Sequence, residues 1–405
     1  MTLRRDWNEF WFSKKSPGPL GAFRVALGSI FVFWGLLVAP PNLYTWFSEG
    51  GAVPLSFYHM TKSVSPEISL LDNVTDPHIL FLYWLALLLF AVLFTVGFCT
   101  RLSGFFLFLV FDSFCNRDLA IMNSGDTMLR CALFLSLLAP SGASCSVDRL
   151  IAIWRGKDAG GDPQPVELWA QRLMQLQVAL VYSATFCSKI SGHDWLNGTA
   201  VYFPLHMVEL TRFPLPSFFS DPRIINLLTW GTLVVEGSMA TLVWSRKTRP
   251  YVLVAGVCLH SGIEYALNIP LFSLIMITTY LNFVYNEWLA SWVHALSKSF
   301  ERYQLTVLLP NGVEQTGRWW KVIERMDIFR LCVPYESGEH QLVVNGRGWQ
   351  SQGASALRRV LLCLPALWLL SPLMLVPGSL RVVRMLLPQP SRELTGGNPI
   401  STAAS

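Results

Sequence analysis

The stretch HILFLYWLALLLFAVLFTVGF, residues 78–98, decides the fold class. It contains no Asp, Glu, Lys or Arg. As one helix it is long enough to cross a hydrocarbon core roughly 30 Å thick. A helix apolar on every side needs an apolar environment on every side. Working outward, further apolar runs lie near 20–38, 102–122, 127–138, 168–189, 224–244, 251–268 and 271–285. The last two are separated only by Ile269-Pro270 and read either as a broken pair or as a re-entrant hairpin. The expectation is an all-α polytopic membrane protein of about eight transmembrane helices.

Hydrophobic residues make up 52% of the 405-residue chain and charged ones only 14%, with 16 Trp and 26 Phe. A soluble domain carries about 25% charged residues. The net charge of +5 is too small to argue for nucleic acid, and no nucleic-acid partner is expected. The eight cysteines form no CxxC and no zinc spacing, so neither a disulfide framework nor a metal site is predicted.

Charge is spread unevenly between the apolar runs. The segment 1–18, MTLRRDWNEFWFSKKSPG, is basic and amphipathic and does not read as a signal peptide. The loop SRKTRP, 245–250, has three positive charges and no acid. The 40–77 loop carries Glu49, Glu67, Asp72 and Asp76 against Lys62. The positive-inside rule then places segment 1–18 and the 245–250 loop in the cytoplasm. With eight spans both termini are cytoplasmic, and the 40–77 loop, the MNSGD turn and the segment after Lys189 share the outer face. The expected location is a bacterial inner membrane.

Charges inside spans cost a few kcal/mol unless they are paired or wet. Asn116, Arg117 and Asp118 interrupt the third run in FDSFCNRDLAIMNSGD, with Asp126 and Arg130 just beyond. Glu236 sits mid-run in LVVEGSM. His260 and Glu264, four residues apart in CLHSGIEYAL, share a helix face as a His–carboxylate pair suited to proton handling. Lys189 ends an apolar run and is followed at once by His193, Asp194 and Trp195. Each has a plain alternative: pairing with a neighbouring helix for Arg117 and Asp118, a structural hydrogen-bonding group between helices for Glu236, and interface anchors for Asp126, Arg130 and Lys189.

The motifs FCTRLSG (98–104), NRDLAIMNSGDTMLR (116–130), LAPSGASCSVDRL (138–150) and SKISGHDWLNGTA (188–200), with LHSGIEY and PLFSLIMI after them, resemble the HTTM domain. This is the membrane domain shared by vitamin K-dependent gamma-carboxylases and many bacterial proteins, and the resemblance covers roughly residues 15–290. It implies a reduced, vitamin K-like quinone as cofactor, with O2 and CO2 if the chemistry is carboxylase-like. Lys189 matches the family lysine that deprotonates the hydroquinone, and His260 matches a family histidine. Arg117 stands where the family has a histidine. Asn116, Arg117, Asp118, Asp126, His193, Asp194, Trp195, Glu236 and Glu264 are the expected quinol- or substrate-binding residues around them.

From Tyr303 the texture changes to strand, loop, helix, strand, and predicts a small α/β cytoplasmic C-terminal domain. Residues 300–388 resemble the thioredoxin-like DCC family, with LPALWLLSPLMLVPG the best match. Val313 and Thr316 occupy the places of the redox cysteines. The alternative for 361–376 is a ninth span. Residues 389–405 read as a disordered tail after the membrane domain (19–290) and this one. Three functions remain open: a quinol-coupled enzyme acting on a peptide or lipid, a non-catalytic maturation or export factor for a secreted peptide or toxin, and a transporter. The expected partners are membrane lipid, quinone and a secreted peptide.

Overall fold

Prolines and capping carboxylates decide where several of the helices begin. The computed structural model describes residues 2–62, 69–117, 123–310, 314–337, 341–365, 367, 371–376 and 378–385. Two compact units emerge, one of Met1–Arg149 with Pro163–Leu289, the other of Leu150–Asp162 with Ala290–Ser405. The first is helical. It runs through α1 (Thr2–Phe12), β1 (Lys14–Lys15), α2 (Gly18–Phe33), a π-helical turn (Trp34–Val38), α3 (Ala39–Phe47), α4 (Leu55–Lys62) and α5 (Pro77–Val96). It continues with α6 (Thr100–Arg117), α7 (Ser124–Leu138), α8 (Val147–Trp154), which passes into the second unit at Leu150, β2 (Val166–Glu167), α9 (Trp169–Ile190) and α10 (His193–Leu196). Then follow α11 (Tyr202–His206), α12 (Pro222–Thr241), α13 (Arg249–Ala266), α14 (Phe272–Thr279) and α15 (Asn286–Ser299), the last of which passes into the second unit at Ala290. β1 and β2 form one short antiparallel pair, Lys14 opposite Glu167.

The apolar run at 78–98 becomes α5. Asp76 caps it, accepting from the His78 amide at 2.8 Å, and Pro77 fills a first-turn position where no amide is needed. Gly97 closes it in the left-handed conformation at φ 71°. α5 lies along α2 and α6, and their buried side chains Phe31, Leu87, Phe94, Leu107 and Phe111 begin the core. Below that core the guanidinium of Arg24, fully buried, donates to the carbonyls of Ser141 and Cys145. Asp148 accepts from the amides of Cys99 (2.7 Å) and Thr100 (2.8 Å), capping α6. Two of the quoted motifs, FCTRLSG and LAPSGASCSVDRL, are therefore one clamp between α6 and the turn after α7.

The eight-span expectation is corrected. Among the described residues, three helices are long and apolar enough to cross a membrane: Gly18–Phe47, Pro77–Val96 and Pro222–Trp244. The other runs fall short for visible reasons. α7 has 15 residues and α14 has 8. α6 carries Arg101, Asp112 and Arg117, and α9 is diluted by Gln171, Arg172, Gln175, Gln177 and Lys189. Apolar periodicity marked them as buried helices. It could not distinguish burial against protein from burial against lipid.

The second unit holds the small β-rich region. A four-stranded sheet is built from β3 (Leu305–Pro310), β4 (Cys332–Ser337), β5 (Val343–Gly346) and β6 (Trp349–Gln352), in the order β4-β3-β5-β6. β3 and β4 are parallel, and the other neighbours are antiparallel. α16 (Glu314–Met326) connects the parallel pair, as a parallel crossover requires. α17 (Gly353–Cys363) follows β6, then α18 (Ser371–Leu375) and α19 (Ser379–Met385). Val307, Trp320, Val344, Leu357 and Val360 form its core. Asp327 accepts from the amides of Leu331 and Cys332 and so shapes the entry to β4. Thr316 falls in the first turn of α16, whereas Val313 and the tail 389–405 lie outside the described residues. In the 361–376 region the described helices are α17, ending at Cys363, and the five-residue α18.

Candidate functional site

Lys189 and Tyr182 are seven residues apart on α9, which puts them on one face about 10 Å apart along the axis. That face meets α12, α13 and α14. The Lys189 ammonium donates to Glu236 Oε1 at 2.6 Å, with the two side chains 22% and 9% exposed. The Trp195 ring lies 5.1 Å from Nζ, a cation–π distance. Trp195 is placed there by a turn. After α9, Gly192 leads into α10, and the Asp194 carbonyl accepts from the amide of Thr199 at 2.8 Å. Trp230 of α12 donates to the Leu196 carbonyl at 3.2 Å, fastening the turn to the same helix that carries Glu236. His193 and Asp194 face outward from it, with His193 Nδ1 at 3.9 Å from the Asp194 carboxylate.

His260 is buried below this pair. Its Nε2 lies 2.7 Å from the Tyr182 hydroxyl, which lies 2.5 Å from the Tyr280 hydroxyl. Gly256 makes the approach possible, since a Cβ there would stand 2.8 Å from the Tyr280 hydroxyl. Glu264 takes a different partner from His260: Arg212 donates to it at 2.7 Å, at the partly exposed end of α13. One turn separates the two along the helix, yet one is inside the bundle and the other at its rim.

A second polar cluster joins α6 to α7. Arg130 donates to Asn116 Oδ1 at 2.7 Å and to Asp112 Oδ1 at 3.1 Å, and Asn116 donates to Asp112 Oδ2 at 3.0 Å. Arg117 turns to the other side, donating to the Val53 carbonyl at 3.2 Å with its guanidinium over the Tyr58 ring. Asp118 lies outside the described residues. Asp126 closes a capping box at the start of α7, accepting from the Asn123 amide at 3.0 Å. It also lines a cavity of about 190 Å³ walled by Trp34, Trp46, Phe47, Phe111 and Phe114. The cavity borders the π-helical turn and Leu271, which holds φ 61° despite its side chain. Lys189 and His260 are not among the cavity's lining residues.

The predicted residues thus form separate groups: Lys189 with Glu236 and Trp195, Asn116 with Arg130, Glu264 with Arg212, and Asp126 at the cavity. Sequence reasoning missed Asp112, Tyr182, Tyr280 and Arg212. The signal for Asp112 and Tyr182 was present in the spacing, four residues before Asn116 and seven before Lys189. Nothing local marks Tyr280 or Arg212, because their partners come from distant segments.

The two ends of α9 differ in charge. At its start Arg172 donates to the Phe10 carbonyl at 3.1 Å, and the Phe10 ring packs on Trp244. Arg249 there donates to the carbonyls of Val243 and Trp244. The basic segments around 4–15 and 246–249 therefore share one end of this unit. Lys189 stands 17 residues further along α9, about 25 Å away.

The family model described as "HTTM domain" matches residues 12–288. An uncharacterized protein, YitO of Bacillus subtilis (strain 168), is 28% identical over 113 residues, covering 26% of this chain and 35% of that protein. The chain therefore matches about a third of the length of that relative. No solved structure matches.

Proposed function

We propose that this chain, a membrane protein that belongs to the HTTM domain family, uses Lys189 as the base that takes a proton from a lipid-soluble quinol. The observation that carries the proposal is the Lys189–Glu236 contact at 2.6 Å in a largely dehydrated place under the Trp195 ring. A lysine whose task was only to anchor a helix end would reach for headgroups. This one turns inward to an acid on the neighbouring helix. Glu236 sets the direction of Nζ and accepts the ammonium proton, which leaves the neutral amine that takes the proton of the quinol. Trp195 lies over the ammonium at a cation–π distance.

When bound, the reduced quinone supplies an acidic hydroxyl and a pair of electrons. The positive-inside rule, applied to the candidate span Pro222–Trp244 with the basic 245–250 loop at one end, favours the outer membrane face for the other end, to which Trp230 fastens the turn after Lys189.

The test uses the full chain in lipid nanodiscs with vitamin K hydroquinone as probe and oxygen uptake as readout. Lys189→Arg keeps a charge beside Glu236 but removes a usable base. Uptake is expected to fall by about 10²-fold or more. Full uptake in both Lys189→Arg and Lys189→Ala would sink the proposal.

A second reading is a non-catalytic maturation or export factor. It is favoured by the exposed apolar side chains of Tyr202, Phe203, Val208, Phe213 and Phe218 just beyond the Lys189 turn. On that reading Lys189→Arg leaves the yield of the secreted peptide unchanged, whereas Phe213→Asp lowers it.

A further inference from the structure

The Lys189 site makes no use of the aromatic cavity beside Asp126. The wall of that cavity is set before anything enters it. Trp34 meets Phe111 and Phe114 edge to face, with ring centroids 5.5 Å and 6.2 Å apart, and Phe47 meets Phe114 in the same way at 5.1 Å. Such contacts are the favoured packing of aromatic rings and hold the wall in place. Two irregular stretches of backbone border the same space. The π-helical turn contributes Trp34 and Val38, and Leu271 keeps its φ of 61° there. A π-helical turn and a left-handed leucine each cost stability, and features of both kinds gather where ligands bind.

Three amide or carboxyl side chains reach the lining: Asn42, Asn123 and Asp126. Asn42 donates to the Val38 carbonyl at 2.7 Å, and Asn123 accepts from the Gly125 amide at 2.6 Å. Asp126 commits Oδ2 to the Asn123 amide. Among the described residues its carboxylate forms no ion pair. Arg130, one turn further along α7, is held by Asp112 and Asn116. No Lys, Arg or His is among the lining residues. A carboxylate withdrawn from water gains most from a nearby positive charge, and the faces of Trp and Phe attract one as well. Among the described residues no group of three His, Cys, Asp or Glu is placed to hold a metal ion. The cation that fits is therefore organic and brings its own apolar surface.

We propose that the cavity binds a small organic ammonium ion, with Asp126 as its counter-charge and Trp34, Trp46, Phe47, Phe111 and Phe114 around its head. An apolar cavity of roughly 150 Å³ takes up benzene. About 190 Å³ accommodates a trimethylammonium head with a short tail. The site is separate from the Lys189 reading and stands whether or not that reading holds.

The experiment is isothermal titration of the full chain in maltoside micelles, free of choline lipids. The probes are choline and its neutral isostere 3,3-dimethylbutan-1-ol, which have the same shape and differ in charge. Choline is expected to bind about tenfold more tightly than the alcohol or better. That comparison needs no variant, so it tests the charge preference independently of folding. Asp126→Asn keeps an oxygen for the Asn123 amide and removes the charge. It is expected to erase the preference for choline and leave the alcohol unaffected. Trp46→Leu is expected to weaken choline binding while the carboxylate remains. Equal affinity for the two probes, or no binding of choline, would overturn the proposal. So would choline binding indifferent to both Asp126→Asn and Trp46→Leu, which would place the ion elsewhere on the protein.

Discussion

At the scale of single residues, the Lys189–Glu236 pair shows how a charge can sit inside an apolar helix. Glu236 is mid-way along a helix apolar enough to cross a membrane, and a lone carboxylate there would be costly. The ammonium at 2.6 Å offsets that cost. Removing one partner leaves the other buried and uncompensated, while removing both leaves an ordinary apolar contact. Lys189→Met is therefore expected to destabilise the protein by about 3 kcal/mol. The double variant Lys189→Met/Glu236→Leu is expected to regain most of that loss. Thermal denaturation in detergent measures both, and a double variant as weak as the single one would contradict the pairing. Arg24 follows the same logic with neutral partners, its guanidinium satisfied by carbonyls of the turn after α7.

Among elements, helix pairing depends on where side chains are absent. Gly28 of α2 faces Thr95 of α5 so closely that a Cβ would stand 2.3 Å from the Thr95 hydroxyl and 2.9 Å from its Cα. The Cα cannot rotate away. Gly28→Ala should therefore part the two helices, at a cost of about 1–3 kcal/mol. A lower melting temperature and a broadened size-exclusion profile are the expected signs, and a melt unchanged from the parent would show that the helices have slack. In the second unit the thiols of Cys332, on β4, and Cys363, at the end of α17, are placed differently from a redox centre. Burial pushes the Cys332 thiol up, with the nearby Asp327 and Cys363 adding to the effect, and burial raises Cys363 in the same direction. Both are held as neutral thiols, which are poor nucleophiles.

For the molecule as a whole, charge asymmetry between the two ends of the candidate span Pro222–Trp244 makes a prediction about sides. Basic residues gather at the end shared by Phe10, Trp244 and Arg172, and Lys189 lies at the other. With the proposed orientation, a cysteine placed at His193 is labelled by a membrane-impermeant maleimide in intact cells. One placed at Lys247 is labelled only after permeabilisation. The opposite pattern would reverse the orientation and move the Lys189 site to the cytoplasmic side.

What the amino-acid order determined by itself was local. The uninterrupted run at 78–98, capped by Asp76 and closed by Gly97, could only be an apolar helix. The change of texture after Tyr303 could only be a strand-bearing unit. Spacing along α9 put Lys189 at a helix end and Tyr182 on the same face. Partner choice was decided only by tertiary structure. His260 and Glu264 share a helix and a spacing, yet Tyr182 claims one and Arg212 the other, because α13 enters the bundle at a depth that no local pattern encodes. The number of helices fit to span a membrane was decided by where the folded helices break, since the apolar runs at 127–138 and 271–285 yield helices of only 15 and 8 residues. Apolar periodicity records that a face is hidden from water, and both lipid and protein hide it equally well.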